Sequence, residues 1–94
     1  MDGRRLVAWN LRWHRVERGL SQEKLAVDAQ VDRTYVSSLE RGMENPTVSV
    51  LERLAEALSI QISDLFRIPS RGERPPKPLS GGRRAKDRKV AKPN

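Results

Sequence analysis

Apolar residues in the first 66 positions of this 94-residue chain recur at the spacing of an α-helix. Val7, Leu11 and His14 fall on one helical face, and no stretch alternates apolar and polar residues for long enough to predict a β-strand. Twenty-nine of these 66 residues are apolar, which is ordinary content for a globular domain. The sequence therefore predicts one small all-α domain over residues 1–66.

Residues that end and begin helices divide this domain into short segments. Gly19 and Gly42 stand where a left-handed residue commonly ends a helix. Four residues of the types that cap helix N-termini precede later segments: Ser21, Asp32, Thr47 and Ser63. We expect five helices packed into a compact domain, at about residues 4–18, 22–29, 33–41, 48–58 and 63–66.

Residues 67–94 have a different composition. They contain ten Lys and Arg against two acids, five of the six prolines, and only five apolar residues in 28. Such a segment cannot bury enough apolar surface to offset its ordering entropy, so we expect a disordered basic tail. Its formal charge is +8 and that of residues 1–66 is −1, so the tail supplies the whole surplus of +7.

The residue types that are absent or rare exclude several classes of function. The chain has no cysteine and one histidine, which excludes a disulfide framework and a cysteine nucleophile and argues against a metal site. No apolar run approaches the roughly 20 residues of a membrane span, and the N-terminus lacks the apolar core of a signal peptide. We expect a cytoplasmic protein without enzymatic activity, cofactor or metal, and with a polyanionic partner.

The second and third predicted helices, joined by residues 30–32, form a unit typical of the helix-turn-helix. Outward residues of the third helix can all hydrogen-bond: Arg33, Thr34, Ser37, Ser38 and Arg41. An arginine suits the O6 and N7 edge of guanine, and a threonine methyl suits the thymine methyl. Helical spacing is equally compatible with a polar face that meets only water, so spacing alone leaves both interpretations open.

Residues 19–66 resemble the phage-repressor and Cro type of helix-turn-helix family. Four motifs in order carry the resemblance: SQEKLA at 21–26, SSLERG at 37–42, NPT at 45–47 and LERLAEAL at 51–58. The segment VDRTYVSSLERG is also similar to controller proteins of restriction–modification systems. The resemblance implies a five-helix lambda-repressor-like fold. It also implies a transcriptional regulator that binds double-stranded DNA sequence-specifically, as a homodimer on a symmetric operator.

The resemblance implies roles for individual positions. Bases in the major groove would be contacted by Arg33, Thr34, Ser37 and Ser38. Phosphates would be contacted by Gln22, Tyr35, Arg41, Asn45 and Thr47, and Gln22 would also brace the third helix. Arg15 and Glu40 match a pair that forms an internal salt bridge between the first and third helices, so Arg15 is not expected to bind DNA.

Two residues depart from the family pattern. His14 stands where the family usually has an apolar residue. We interpret it as a partly buried neutral histidine at the edge of the core, with a pH switch as the alternative. Gln30 stands where the turn commonly has glycine. Either Gln30 adopts a positive φ, or the turn differs and changes the tilt of the third helix.

Two groups of apolar residues are candidates for interfaces. Trp9 and Trp13 lie four positions apart on the first helix and belong either to the core or to a surface for a partner. The last element is richer in apolar side chains than a chain end needs, and in the family this region often forms the dimer interface: Ile60, Ile62, Leu65 and Phe66. Part of this group must also pack the monomer, and we expect Leu65 and Phe66 to close the core.

Two other functions stay open. An antitoxin-like or adaptor module would bind a protein partner through Trp9, Trp13 or the tail, and it would also bind DNA. Nonspecific binding of nucleic acid would instead be driven by the basic tail. That third hypothesis predicts that a 1–66 truncation loses nearly all affinity, whereas a sequence-specific reader would keep its specificity.

Overall fold

The computed structural model of the protein describes residues 1–70, 72 and 73, and this part is helical without a β-strand. Four α-helices and one 3-10 helix follow in order: α1 Gly3–Glu17, α2 Gln22–Ala29, α3 Arg33–Glu40, α4 Val48–Leu58 and the 3-10 helix Ile62–Phe66. The predicted all-α class is confirmed, and the fifth predicted helix is a short 3-10 helix. The disorder predicted for residues 67–94 falls mainly on residues 71 and 74–94, which lie outside the described residues.

Side-chain caps explain where three of the helices begin. The hydroxyl of Ser21 accepts a hydrogen bond from the Lys24 amide at 2.9 Å, and the Thr47 hydroxyl accepts one from the Val50 amide at 3.1 Å. Asp2 caps α1 in the same way, so α1 begins one residue before the predicted start. Each such cap contributes about 1 kcal/mol to helix stability.

Two residues, Asp32 and Ser63, do not act as the side-chain caps that were predicted. Asp32 occupies the cap position of α3, but its carboxylate makes no cap hydrogen bond and instead accepts from the Thr34 hydroxyl at 2.8 Å. The prediction that Ser63 begins the last segment is wrong. The 3-10 helix starts earlier because the Gln61 amide donates to the Asp64 carboxylate at 2.9 Å.

The core is built mainly from leucines on the inner faces of all five elements. Its largest fully buried apolar side chains are Leu11, Leu25, Val36, Leu39, Leu54, Leu58 and Leu65. Helix α1 packs on α3 and on the 3-10 helix, while α2 packs on α3 and α4. Small residues in the core, among them Ala26 and Ala55, allow the helices to approach closely. Each buried leucine contributes about 1.5–3 kcal/mol of transfer free energy.

Gln30 fixes the direction in which the chain enters α3. Its φ is 60° and its ψ is 45°, which is the left-handed conformation. This is the first of the two alternatives that the sequence left open. A residue with a Cβ adopts this conformation at a cost of roughly 1–2 kcal/mol. Two hydrogen bonds compensate for this cost, because the Gln30 and Val31 amides then donate to carbonyls at the end of α2, at 3.2 and 2.9 Å.

Asn10 anchors the chain beyond the 3-10 helix onto α1. The side chain is fully buried. Its Nδ2 lies 3.1 Å from the Leu65 carbonyl oxygen and 2.7 Å from the Arg67 carbonyl oxygen. The Arg67 guanidinium lies 5.7 Å from the centre of the Trp9 ring and pairs with Glu73 at 3.1 Å. Arg67 is therefore held against α1 through its backbone carbonyl and its guanidinium.

Candidate nucleic-acid interface

Helix α3 presents two faces of opposite character. Val36 and Leu39 are buried in the core. The opposite face carries the predicted base-contact residues, of which Arg33 and Thr34 are exposed and Ser37 and Ser38 are half-buried. An α-helix is about 10–12 Å in diameter with its side chains, and the major groove of B-DNA, about 12 Å wide, accommodates such a helix. The structure therefore brings all four predicted base-contact residues onto one accessible surface.

The N-terminal turn of α3 carries a basic and a small polar side chain. Arg33 forms no ion pair with any acidic side chain in the described part of the chain. The Thr34 hydroxyl donates to the Asp32 carboxylate at 2.8 Å. Arg33 is thus able to use its guanidinium fork on an external acceptor, and Thr34 is held by the residue that precedes the helix.

The C-terminal turn of α3 is organised by Arg41. Its Nη1 donates to the Ser37 hydroxyl oxygen at 3.0 Å, and its Nη2 lies 3.4 Å from the Ser38 hydroxyl oxygen. Arg41 itself is exposed. One guanidinium therefore spans both serines on the outward face of the helix.

A buried ionic network braces α3 from behind. Arg15 Nε lies 2.6 Å from Glu40 Oε2, and Arg15 Nη2 lies 2.9 Å from Glu40 Oε1. Arg15 Nη1 also donates to the Leu20 carbonyl at 2.8 Å. Gln22 Nε2 donates to Glu40 Oε1 at 3.1 Å. The ends of α1 and α3 and the start of α2 are thereby tied together, and Gln22 is placed to brace α3.

The predicted phosphate contacts lie at the edges of this surface. Asn45 and Thr47 are exposed on the segment between α3 and α4, and Gln22 is half-buried at the start of α2. Thr47 uses its hydroxyl oxygen as the cap of α4, which leaves its O–H available as a donor. Burial and, to a smaller extent, the nearby Glu44 carboxylate raise the pKa of Tyr35, so its hydroxyl stays neutral at physiological pH.

The four dimer-interface candidates differ in exposure. Leu65 is fully buried in the monomer core, and Ile60 and Ile62 are half-buried against that core. Phe66 is 44% exposed, so it does not close the core as expected. Ile68, which the sequence analysis did not single out, is 79% exposed. The accessible apolar surface at this end of the domain therefore centres on Phe66 and Ile68.

The two tryptophans are half-buried and contact other residues of the same chain. Trp9 lies beneath the Arg67 guanidinium, and the Trp13 ring meets the His14 ring edge-on, with centroids 5.2 Å apart. Neither forms the large exposed aromatic surface that the adaptor hypothesis needs. The basic tail that the same hypothesis invokes lies almost wholly outside the described residues.

His14 lies at the edge of the core, and it is half-buried. Burial lowers its pKa, and the positive charge of Arg18, whose Nη1 lies 3.2 Å from His14 Nδ1, lowers it further. The neutral form is therefore favoured in the folded protein. Within the described residues, no cluster of three acidic or histidine side chains could hold a metal ion, and no helix is long and apolar enough to cross a membrane.

Residues 11–65 match the helix-turn-helix family. A hypothetical transcription factor of Neisseria meningitidis is 43% identical over 68 residues, which is 72% of this chain and 64% of that protein. This chain thus matches slightly less than two thirds of that relative's length. An uncharacterised HTH-type transcriptional regulator of Sinorhizobium fredii is 45% identical over 65 residues, covering 69% of this chain and 84% of the relative.

Solved structures show the same similarity in three dimensions. The crystal structure of a hypothetical transcription factor from Neisseria superimposes with a TM-score of 0.70 at 43% identity, over 72% of this chain and 78% of that one. The restriction–modification controller protein C.AhdI from Aeromonas hydrophila superimposes with a TM-score of 0.66 at 40% identity, over 67% of this chain and 96% of that one.

Proposed function

Because this chain belongs to the helix-turn-helix family of DNA-binding transcriptional regulators, we propose that it binds a two-fold symmetric operator as a homodimer. Each subunit would place α3 in a major groove, with the two half-sites about one helical turn apart. The observation that carries the proposal is the outward face of α3. It is polar and accessible, and it is held rigidly by the buried network of Arg15, Glu40 and Gln22.

Base recognition is assigned to the outward side chains of α3. Arg33 lies at the exposed N-terminal end, where its fork can donate two hydrogen bonds to guanine O6 and N7. Thr34, Ser37 and Ser38 offer hydroxyl groups of short reach, which suits base edges in close contact with the helix. A rigid helix favours such contacts because the side chains are positioned before DNA arrives.

Phosphate contacts are assigned to the residues that surround this face: Gln22, Tyr35, Arg41, Asn45 and Thr47. All except Arg41 are neutral, so they would orient the domain through hydrogen bonds and release few counterions. They come from α2, α3 and the segment before α4, so they could hold the DNA backbone on both sides of α3. Contacts of this kind fix the register of a protein on DNA without selecting a sequence.

Dimerisation is assigned to the apolar surface at the end of the domain. Phe66 and Ile68 supply its exposed part, and the half-buried Ile60 and Ile62 belong to the same terminal segment. A symmetric dimer uses the same patch on both subunits, and an apolar patch near one end of the domain suits this arrangement. Leu65 would act indirectly, by holding the segment in place from within the core.

The proposal is tested by selection of binding sites from random DNA duplexes. We expect the wild-type protein to select a palindromic site, and Arg33→Ala to lose about 1–3 kcal/mol at one base pair of each half-site and to relax the preference there. Arg53→Ala is the matched control, because Arg53 is an exposed arginine on α4 outside the proposed interface. Unchanged preferences in Arg33→Ala would remove Arg33 from the reading residues. A monomer bound to a non-palindromic site, seen by sedimentation of the complex, would reject the dimer.

A further inference from the structure

Arg41 contacts the two serines that are proposed to read bases. It lies four residues after Ser37 and three after Ser38, so helical geometry places all three side chains on one face. Its two terminal nitrogens lie 3.0 and 3.4 Å from the two hydroxyl oxygens. A guanidinium carries five N–H donors and no acceptor. At both contacts the serine oxygen must therefore be the acceptor.

This contact determines what the serines can offer to a ligand. A serine hydroxyl has one O–H donor and two lone pairs. When a lone pair accepts from Arg41, the O–H bond turns away from the positively charged guanidinium. Without Arg41, the hydroxyl could rotate and present either its hydrogen or a lone pair to the groove. With Arg41 in place, each serine keeps its O–H and one lone pair, and the guanidinium charge polarises the hydroxyl, so Ser37 and Ser38 are stronger donors than acceptors.

We propose that Arg41 is a specificity-determining residue that acts through Ser37 and Ser38, by making both hydroxyls better donors than acceptors toward the major groove. This inference rests on the proposed function, since it concerns the same surface of α3. Donors read acceptor atoms, which are N7 and O6 of guanine, N7 of adenine and O4 of thymine. The N4 amine of cytosine offers only donors. Guanine, adenine and thymine are therefore favoured opposite the two serines, and cytosine is disfavoured.

Arg41 keeps enough donors to contact a phosphate at the same time. Two of its five N–H groups bond the serines, which leaves three. Its charge and its forked geometry thus perform different tasks. The charge attracts the DNA backbone whatever the sequence, while the fork orients the hydroxyls and affects only the bases opposite them. This separation allows an experiment to distinguish the proposal from a simple phosphate contact.

The experiment compares selected sites and salt dependence for wild type, Arg41→Lys and Arg41→Met. Lysine keeps the positive charge but carries a single ammonium that cannot reproduce the planar fork. We expect Arg41→Lys to keep the slope of log affinity against log salt concentration. In Arg41→Lys, we expect the affinity ratio that disfavours cytosine opposite the serines to fall about two- to tenfold, which corresponds to the net free energy of one ordinary hydrogen bond. Arg41→Met loses the same discrimination and also reduces the slope by about 0.9. Arg53→Lys is the matched control and keeps both properties.

A variant that lacks both serine hydroxyls provides the decisive comparison. In the Ser37→Ala/Ser38→Ala protein, Arg41→Lys has no hydroxyls to orient, and we expect it to change base preferences no further. The proposal is overturned if Arg41→Lys selects the same bases as wild type, or if it alters preferences equally in the serine-free background. A wild-type protein that selects no sequence at all would overturn the proposed function, and this inference with it. Circular dichroism of each variant confirms that it is folded, as expected for an exposed residue at the end of a helix.

Discussion

Glu40 accepts three hydrogen bonds in the interior of the protein, two from Arg15 and one from Gln22. The exposed fractions of the Arg15 and Glu40 side chains are only 4% and 3%. If Glu40 is replaced by leucine, the Arg15 guanidinium stays buried without a counter-charge. Removing one partner of a buried ion pair costs about 3–5 kcal/mol, because the remaining charge cannot be solvated.

This cost is large compared with the stability of the domain. Native domains are stable by roughly 0.05–0.15 kcal/mol per residue, which gives about 3–10 kcal/mol for residues 1–66. In a domain of this size, 1 kcal/mol corresponds to about 4–8 °C in Tm. We therefore expect Glu40→Leu to lower Tm by at least about 12 °C, and by as much as about 40 °C. A protein at the lower end of the stability range would be largely unfolded at 37 °C.

Urea and thermal unfolding, followed by circular dichroism, measure this loss in Glu40→Leu, in Arg15→Met and in the double variant. Replacing both partners by apolar residues of similar volume is often neutral or stabilising. Here the Leu20 carbonyl and the Gln22 amide lose partners, so we expect the double variant to fall between wild type and the single variants. Lys24→Ala is the control, since the Lys24–Asp28 pair is exposed and is worth only about 0.3–0.5 kcal/mol.

Two results would refute this reasoning. A loss below about 1 kcal/mol in Glu40→Leu is the value of a surface pair, and it would mean that water reaches Arg15 readily. A double variant as unstable as the worse single variant would mean that the loss comes from packing or from the Leu20 and Gln22 contacts. In neither case would an uncompensated buried charge be the cause.

Two further predictions concern α1. Asn10→Ala removes the donor that reaches the Leu65 and Arg67 carbonyls, and we expect about 1–3 kcal/mol of destabilisation in urea unfolding, because these acceptors lose a partner; a loss near zero would show that water replaces the amide. The pKa of His14 is lowered in the folded state, so the unfolded chain binds the proton more tightly. The stability that neutral His14 contributes to the fold is therefore lost as the pH falls below about 6.5. Unfolding midpoints between pH 7.5 and pH 5 should therefore fall less in His14→Gln than in wild type, and equal falls would exclude His14 as the source.

The types of neighbouring residues predicted most helix boundaries, but they failed at the start of the 3-10 helix, where the cap position is Gln61 and not Ser63. Ser21 and Thr47 act through the amide three residues later, so their role depends only on nearby residues. Ser63 is an equally good cap by residue type. It is displaced because Asp64 bonds the backbone of Gln61 and starts the 3-10 helix earlier. The residue type at position 63 alone does not reveal this competing bond between Gln61 and Asp64.

The role of Asn10 could not be read from the sequence because its partners are distant along the chain. The Leu65 and Arg67 carbonyls are 55 and 57 residues away. An asparagine in an amphipathic helix gives no sign of which backbone group it will meet. Gln30 shows the opposite case, since its position in the turn narrowed the outcome to two conformations before the structure chose the left-handed one.

The candidate site was largely predictable because it consists of one helix face. Val36 and Leu39 define the buried stripe of α3, and the helical period then assigns the outward positions. Spacing could not determine the direction in which Arg41 donates, since its side chain could equally extend into solvent. The orientation of Ser37 and Ser38 therefore required coordinates, and their roles toward DNA remain predictions.

Under the proposed function, net charge and sequence recognition belong to different parts of this chain. Residues 1–66 sum to −1, yet Coulombic attraction is screened within about 8–10 Å. In the proposed complex, a phosphate beside α3 would therefore respond mainly to the charges nearest to it, those of the exposed Arg33 and Arg41. The ten bases of residues 67–94 would add to the salt dependence of binding by up to about 0.9 for each phosphate they neutralise, but a phosphate carries no base identity. The proposed function therefore predicts that affinity at a given salt concentration and discrimination between sequences change independently, the first through the tail and the second through the face of α3.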